Sequence, residues 1–262
     1  ADFRFKSRVW EMSSTDSVCV GCARGCNTHA WVRKNEILRL TPRFNESVNS
    51  YWMCDAGRLN TFKSVCSQER LNGPMIRKDG ALTEVGWDEA MSMVVSELKG
   101  FKKNEIAGIG SPYATNEDNY VFQKLMKEVI GTKHIDVVQH VEDGHDDDLL
   151  IRADKTPNGL GARQVGVKPT DGGLEIAGIL KGVQDGSIKA LYVLDDDITV
   201  DPGFAAALPN LDLLIVHSSV RNKTTELADI VLSCSTYAEK HGTFTNFMGR
   251  VQRIRPAVAT QE

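Results

Sequence analysis

The sequence predicts an α/β protein, in which a small, mostly β module is followed by a larger domain built on a doubly wound parallel sheet. Two observations lead to this prediction. Short strand-like stretches fill the chain up to about residue 71, and strand-like and helix-like stretches alternate beyond it. We therefore expect two domains, residues 1–71 and residues 72–262.

The first module carries the pattern of a β-hairpin. The stretches "HAWVR" (His29–Arg33) and "EILRL" (Glu36–Leu40) flank a polar turn at Lys34 and Asn35. So few apolar residues give a thin core, and small modules of this kind often need a bound metal to be stable. The pattern therefore favours an inorganic centre in this part of the chain.

The second domain begins with a hairpin-like turn at Asp79 and Gly80, followed by a predicted helix from Trp87 to Leu98. Strands and helices then alternate, with strands at 106–110, 135–138, 189–194, 211–216 and 229–232 and helices at 116–130 and 173–184. This order predicts a Rossmann-like parallel sheet covered by helices on both faces. A stretch rich in Gly, Pro and Asp, near residues 146–172, predicts a long irregular connection.

Composition excludes several classes of protein. The 262 residues carry a net charge of −4, which argues against a nucleic-acid or anionic-membrane surface, and no apolar run is long enough to span a bilayer. The first ten residues mix charged and aromatic side chains and do not have the pattern of an export signal. We therefore expect the six cysteines to be thiols or metal ligands rather than a disulfide framework. Because the chain begins with Ala, we expect a processed protein or a fragment of a longer one.

Four cysteines follow the pattern C-x2-C-x3-C-x27-C, at Cys19, Cys22, Cys26 and Cys54. Three thiolates on one tight loop and one distant thiolate are typical of a [4Fe-4S] cluster, whereas zinc prefers two short pairs of ligands. Small residues between the first three cysteines would let the backbone approach the cluster and its amides reach the sulfides. The spacing favours the cluster, with a structural zinc module or unligated buried thiols as alternatives. Cys66 and Cys234 are isolated and are expected to behave as small buried apolar residues.

Several further stretches carry a resemblance to a known family. The segment around the four cysteines resembles the cluster domain of the molybdopterin oxidoreductase superfamily. The stretches "SPYATNEDNYVFQKL", "GTKHID", "KALYVLDDDI", "TTELADIVL" and "YAEKHGTFTNFMGRVQ" look like successive motifs of that superfamily's second domain. "DFRFKSRVWEM", at the start of the chain, looks like the stretch that follows the amino-terminal clusters in the large iron-sulfur (G) subunits of NADH:quinone oxidoreductase, respiratory complex I. The resemblance implies that the four cysteines match four cluster ligands.

The chain also departs from the pattern of the molybdenum enzymes. Ala56 stands where they carry a lysine between cluster and pterin, and Glu142 falls near the place of the Cys or selenocysteine that binds molybdenum. From the resemblance we expect that the superfamily's third domain is reduced to the irregular connection and that its carboxy-terminal barrel is absent. The resemblance thus implies a degenerate, non-catalytic member that holds a [4Fe-4S] cluster and binds neither molybdenum nor pterin.

The function implied by this resemblance is electron transfer and scaffolding in the peripheral arm of an NADH:quinone oxidoreductase, on the cytoplasmic face of the inner membrane. The expected partners are the other subunits of the complex and a missing amino-terminal iron-sulfur domain. The mixture of aromatic and basic residues in "DFRFKSRVW" likewise predicts an interface. A subunit of an NAD-linked formate dehydrogenase or hydrogenase is the alternative, because such subunits share the same pattern.

Other polar motifs are interpreted structurally. The acidic runs "HDDD" (His145–Asp148) and "DDD" (Asp195–Asp197) lack the alternation of a calcium loop, and "GIGS" (Gly108–Ser111) lacks a full dinucleotide fingerprint. Among the scattered histidines only His29, near the cysteine loop, is a candidate for tuning a bound centre. "EKHGTFTN" (Glu239–Asn246) is expected to be a structural loop.

Overall fold

The structure, a computed structural model, describes residues 3–260. Its strands are β1 (Ser13–Val18), β2 (Asn27–Arg33), β3 (Glu36–Pro42), β4 (Met75–Lys78), β5 (Ala81–Glu84), β6 (Ile106–Gly110), β7 (His134–Val137), β8 (Ala190–Leu194), β9 (Leu213–Ser218), β10 (Ile230–Ser233), β11 (Gly242–Thr245) and β12 (Val251–Ile254). Its helices are α1 (Asp55–Asn60), α2 (Trp87–Leu98), α3 (Asn116–Lys124), α4 (Gly159–Gln164), α5 (Ile176–Asp185), α6 (Pro202–Ala207) and α7 (Lys223–Leu227). A π-helical turn, Leu125–Ile130, continues α3, and single 3-10 turns occupy Val9–Glu11, Lys103–Glu105, Ile198–Val200 and Leu208–Asn210.

A three-stranded antiparallel sheet, in the order β1-β2-β3, forms the first part of the fold. The predicted hairpin is confirmed as β2 and β3, and its turn residues Lys34 and Asn35 have φ values of 52° and 62°. Positive φ at both central positions defines the tight turn that matches the twist of two antiparallel strands. The same geometry recurs between β4 and β5, where Asp79 and Gly80 have φ values of 50° and 83°.

The second sheet has seven strands in the order β5-β4-β10-β9-β8-β6-β7. Strands β6 to β10 are parallel to one another, which confirms the predicted α/β class, and the β4–β5 hairpin adds an antiparallel edge. Along the chain the sheet grows from β6 to β7 on one side and then from β6 to β8 on the other. This reversal places the ends of β6 and β8 at the point where open α/β sheets usually form a crevice.

The two faces of the large sheet carry separate apolar cores. On one face Ile109 and Val193 pack with side chains of α5 and α6, and on the other Ile106 and Tyr192 pack with side chains of α2 and α3. Alternating residues of a strand point to opposite faces, so helices must cover both sides of a sheet that is apolar on both. The predicted double winding is therefore present.

Two elements connect the last part of the chain to the first sheet. Strands β11 and β12 form a hairpin whose Phe244 and Ile254 pack on Val18 at the end of β1. The side-chain amide of Asn27 donates a hydrogen bond to the side chain of Gln252, which lies on β12. The first sheet is thus stabilised both by the pairing of its own strands and by contacts with residues more than two hundred positions later in the sequence.

Several elements differ from the sequence prediction. The irregular connection contains α4, whose Gly161 allows close packing against Asn116 and Asn158 but gives no helical signal. Strand β1, "SSTDSV", is polar and lacks the alternation that predicts a strand. Within residues 3–260, no helix is both long and apolar enough to cross a bilayer.

Candidate iron-sulfur site

The first three cysteines lie on the loop that joins β1 to β2. The loop is closed at its base by a hydrogen bond of 2.8 Å from the Cys19 amide to the Cys26 carbonyl. Gly25 turns it with a φ of 62°, and a β-carbon there would lie 2.7 Å from the Gln252 amide nitrogen. A side chain at this position would be both strained and crowded, so the loop requires glycine. The first sheet and this turn together fix the three thiols.

Cys54 is placed by a helix start rather than by a strand. It is the residue before α1, and its Sγ accepts a hydrogen bond of 3.3 Å from the amide of Gly57. A thiol therefore occupies the capping position that Ser or Asp usually fills. The helix amides around this position direct partial positive charge toward the sulfur.

All four thiols line one cavity of about 610 Å³. Cys19, Cys22 and Cys26 are buried and Cys54 is half-buried, and all four are free. Within the described part of the chain, no three His, Cys, Asp or Glu side chains meet closely enough to hold a single metal ion. The cysteines instead surround an open volume.

Glycine shapes the floor of this cavity. A β-carbon added to Gly57 would lie 2.9 Å from Cys19 Sγ and 3.4 Å from Cys54 Sγ. The position of Gly57 thus keeps free the space between two of the thiols. Four soft thiols, a cavity among them and a backbone that approaches closely fit the donor set and the shape that a [4Fe-4S] cluster needs.

Burial dominates the electrostatics of the cavity. It raises the pKa of Cys19 to about 12, although the nearby Gly21 amide, which donates a hydrogen bond to the sulfur, opposes the shift. Burial, together with the neighbouring thiols, also raises the pKa of Cys26. In the metal-free protein, the Cys19 and Cys26 thiols are therefore protonated near neutral pH, and metal binding there must release their protons.

The predicted irregular connection forms one wall of the cavity. Arg24, on the cysteine loop, donates hydrogen bonds of 2.9 Å and 3.0 Å to the carbonyls of Leu150 and Leu149. Leu150 is buried in the apolar cluster that contains Cys19 and Cys26. Sequence reasoning missed this wall, because nothing in the acidic stretch before Leu150 marks it as part of a core.

Polar residues in or beside the same connection also line the cavity. Glu142, His145 and Lys155 line the cavity with the cysteines, and Lys155 Nζ donates hydrogen bonds of 2.9 Å each to the carbonyls of His145 and Arg152. Ala56, which the resemblance places at the position of the lysine of the molybdenum enzymes, lies exposed at the same cavity. Lys155 lines this cavity with an ammonium group that comes from a different part of the chain.

A second cavity, of about 410 Å³, adjoins the first at the carboxyl ends of β6 and β8, and Tyr113, Glu142 and Lys155 line both. The buried Asp196 accepts a hydrogen bond of 2.9 Å from His140 Nε2. This bond raises the pKa of His140 and favours the imidazolium form. The cavity lies at the crevice expected from the strand order, and three consecutive aspartates give it an acidic rim.

The acidic runs have structural partners. Asp147 accepts hydrogen bonds from the amides of residues 149–151, and Asp197 accepts them from Thr199 and Thr224. His29 lies 3.1 Å from Asp16 on the neighbouring strand and does not line the cysteine cavity. The structural interpretation of these motifs agrees with the geometry.

The remaining motif and the isolated cysteines have distinct environments. Glu239 forms a buried ion pair of 2.8 Å with Arg70, in which the two side chains are 1% and 4% exposed. This pair ties the start of "EKHGTFTN" to the end of the first module. The expectation that the whole stretch is a loop is wrong, because Gly242–Thr245 form strand β11. The expectation that Cys66 is buried is wrong, because its side chain lies exposed beyond α1, whereas Cys234 is half-buried.

Comparisons with known proteins extend these observations. The family profile described as "Molybdopterin oxidoreductase" matches residues 70–160 and 156–262, and the profile described as "NADH-ubiquinone oxidoreductase NDSU1/NuoG-like, 4Fe-4S domain" matches residues 12–61. The second match contains all of the first sheet and all four cysteines.

Similar proteins include representatives of two kinds. The G 2 subunit of the NADH-quinone oxidoreductase of Rhizobium meliloti (strain 1021) is 36% identical over 134 residues, which cover 51% of this chain and 16% of that protein. A putative formate dehydrogenase of Staphylococcus aureus (strain USA300) is 32% identical over 140 residues, which cover 52% of this chain and 14% of that protein. The matched segments thus span only a small part of these relatives.

Among solved structures, acetylene hydratase from Pelobacter acetylenicus aligns with 82% of this chain and 28% of its own, at 14% identity and a TM-score of 0.38. That similarity is too distant to support an argument about the site. The first profile match, from residue 70 to residue 262, covers well over half of the sequence. The chain therefore belongs to the molybdopterin oxidoreductase family, and its first part matches the NuoG-like 4Fe-4S domain.

Proposed function

We propose that Cys19, Cys22, Cys26 and Cys54 bind one [4Fe-4S] cluster, and that the chain is an electron-transfer and scaffold segment of an NADH:quinone oxidoreductase. One observation carries this proposal. The four thiols, all of which lie in the segment that matches the NuoG-like 4Fe-4S domain, line a single cavity. When bound, the cluster supplies a centre that stores one electron at a time.

The residues of the chain hold and insulate such a centre. The thiolates would bind it, while the amides of Gly21 and Gly57 donate hydrogen bonds to Cys19 and Cys54. Donors to ligand sulfurs stabilise negative charge and so influence the reduction potential. Apolar side chains such as Met53 and Leu150 line the same cavity and limit access of water.

The proposal includes the absence of molybdenum and pterin. A pterin nucleotide carries phosphate groups, and the crevice at the ends of β6 and β8 has four carboxylates against two cationic groups. The carboxylates are those of Glu142, Asp195, Asp196 and Asp197, and the cationic groups are the ammonium of Lys155 and the imidazolium of His140. Burying an anion beside carboxylates is unfavourable unless cations outnumber them. Ala56 has no polar group to relay charge, and Glu142 offers molybdenum an oxygen in place of sulfur or selenium. The chain itself would then break no covalent bond.

The wider assignments rest on the same match. We propose that residues 1–71 form the cluster domain and residues 72–262 the family domain, interrupted near residues 146–172. The partners would be other subunits of a peripheral arm on the cytoplasmic face of the inner membrane, and an amino-terminal iron-sulfur domain. The exposed aromatic rings of Phe5 and Trp10, which are 90% and 83% exposed, support an interface at the start of the chain.

A second candidate is a segment of a formate dehydrogenase. It is favoured by the 32% identity over 140 residues to the putative enzyme of Staphylococcus aureus. The two candidates share the cluster and differ in the second cofactor, because a formate dehydrogenase of this superfamily uses molybdenum or tungsten with pterin. A structural zinc module would share the four thiols but have no redox activity.

Elemental analysis of the protein purified without oxygen tests the proposal. We expect about four iron and about four sulfide per chain, with molybdenum and zinc well below one. Cys19→Ala should remove both iron and sulfide, whereas the matched control Cys66→Ala, at an exposed thiol outside the cavity, should retain them.

Three outcomes contradict the proposal, each in a different part. Stoichiometric zinc without visible absorption would replace the cluster by a structural site. Molybdenum or tungsten near one per chain in the native complex would support the formate dehydrogenase candidate. Retention of iron by Cys19→Ala would remove that thiol from the ligand set.

A further inference from the structure

A third concave region, a groove of about 690 Å³, lies on the other side of α1 from the cysteine cavity. It runs between β3, the segment 3–6 before the first strand, and residues 58–66. None of its lining residues lines the cysteine cavity, since Gly57 and Asn60 face the thiols while Arg58 and Leu59 face the groove. We call it the basic groove.

The charge of the groove is opposite to that of the chain. Its lining contains five cationic side chains and one acidic side chain, Glu36, although the whole chain has a net charge of −4. The cations are Arg4, Lys6, Arg39, Arg58 and Lys63. Within residues 3–260, Arg58 alone among them lies near a carboxylate, that of Asp55, at 3.9 Å between two well-exposed groups. The groove therefore has a positive potential that the described protein does not neutralise.

Arg39 is held in position without a charge partner. Its guanidinium lies 4.4 Å from the ring centre of Phe3 and 4.8 Å from that of Trp31. Its Nε is buried and, among the described residues, has no hydrogen-bond partner. Stacked between two rings, the planar group retains donors in a fixed orientation that suits a carboxylate.

The groove also exposes a strand edge. Six consecutive residues of β3, Glu36–Thr41, line it, so the groove follows the edge of the strand rather than one of its faces. Among the strands that the structure describes, β3 pairs with β2 alone. An unpaired edge offers backbone donors and acceptors to another extended chain. Leu38, Leu40 and Phe62 provide an apolar floor for alternate side chains.

We propose that the basic groove binds an extended, acidic polypeptide segment of a partner protein, which adds a fourth strand beside β3. Backbone hydrogen bonds would give register, the carboxylates of the segment would contact the five cations, and its small apolar side chains would contact the floor. This chemistry favours a peptide over an anionic membrane, because a lipid surface cannot reach along a strand edge. The inference is independent of the cluster.

A binding experiment on the full 262-residue chain tests this proposal. The probe is a short fluorescent peptide that alternates glutamate and valine, followed by anisotropy, and the control probe alternates lysine and valine. We expect binding of the acidic peptide only, weakened by added salt. The double variant Lys6→Glu/Lys63→Glu should weaken binding roughly tenfold or more, since each reversal removes an attraction and adds a repulsion.

Two matched controls distinguish binding in the groove from an effect of the net charge of the chain and test the backbone hydrogen bonds. Lys99→Glu/Lys223→Glu changes two exposed lysines outside the groove by the same total charge and should leave binding within about twofold. An acidic peptide N-methylated at alternate amides cannot donate to a strand edge and should bind roughly tenfold more weakly. Circular dichroism confirms that each variant is folded.

The proposal is overturned if the acidic peptide does not bind, or if both double variants lose binding equally. If the N-methylated peptide binds as tightly as the unmethylated acidic peptide, the peptide does not add a strand beside β3. Groove-dependent binding to phosphatidylserine vesicles, without binding of the peptide, would replace the peptide by a membrane as the ligand.

Discussion

Gly57→Ala distinguishes a cavity that accommodates a cluster from one that is merely lined by cysteines. The added β-carbon would lie 2.9 Å from Cys19 Sγ, 3.4 Å from Cys54 Sγ and 3.5 Å from the methyl carbon of Met53. Nonbonded contacts are most favourable at about 3.5–4.0 Å. Either the sulfur or the helix must therefore move by roughly 0.6–1 Å, and a cluster bound to both thiols would resist that movement.

Two opposing effects set the magnitude. Alanine is favoured over glycine in a helix by up to about 1 kcal/mol, and Gly57 is the third residue of α1. Overpacking a filled site costs about 1–3 kcal/mol. In the cluster-free protein the Cys19 side chain can rotate away from the methyl group, so the helix gain should dominate and stability should be unchanged or higher. In the loaded protein the sulfur is fixed, so cluster retention should fall by roughly 5-fold to 100-fold.

The assay has two parts. Urea unfolding of the cluster-free protein gives the stability of wild type and variant, and iron per chain after a timed challenge with a chelator gives cluster retention. Gly86→Ala, where a β-carbon would meet nothing within 4 Å, is the matched control and should leave cluster retention unchanged. A Gly57→Ala protein that retains iron and sulfide as wild type does would refute the reasoning, because the space beside the two sulfurs would then not be needed.

Three further predictions concern Cys54, the buried ion pair and a buried histidine. Cys54→Ser should lose the cluster but keep a side-chain cap for α1. The cluster-free Cys54→Ser protein should therefore be about 1 kcal/mol more stable than cluster-free Cys54→Ala in urea unfolding, and equal stabilities would contradict the capping role. Arg70→Met should lower the free energy of unfolding by about 3–5 kcal/mol, because it removes the Arg70 cation from beside the buried Glu239 carboxylate. Arg70→Met/Glu239→Leu should recover part of that loss, and an Arg70→Met protein as stable as wild type would argue against a stabilising role for the pair. Burial lowers the pKa of His217 from 6.5 to about 4. Below pH 6.5 the unfolded chain therefore binds more protons than the folded one, and the free energy of unfolding should fall toward pH 4. His217→Gln should reduce this fall in pH-dependent unfolding, and an unchanged profile would exclude His217 as its source.

Local signals explain which elements could be predicted. The β2–β3 and β4–β5 turns need positive φ at two adjacent positions, and polar pairs such as Lys34-Asn35 and Asp79-Gly80 mark them in the sequence. Helix α2 has the predicted bounds, Trp87–Leu98, because its buried Ala90 and Val94 follow the helical period. The cysteine spacing likewise predicted a common site for the four thiols, and all four line one cavity.

The rest of the site depends on contacts between distant parts of the chain. Arg24 binds the carbonyls of Leu149 and Leu150, which are more than a hundred residues away, and these bonds bring an acidic connection over the cysteines. Nothing in the local pattern of either segment encodes that contact. The same is true of Lys155, whose position beside the cavity depends on hydrogen bonds to two carbonyls of the connection. Sequence spacing thus predicted the thiols but not the walls around them.

The central claim is that the chain holds a one-electron centre on four thiols. Electron paramagnetic resonance of the anaerobic protein, oxidised and then reduced by dithionite, tests it most directly when spins are counted per chain. We predict no signal in the oxidised protein and, after reduction, a half-integer signal of about one spin per chain that disappears on reoxidation and is missing in Cys54→Ala. A protein silent in both states with unchanged absorbance, or a signal that Cys54→Ala retains, would contradict it.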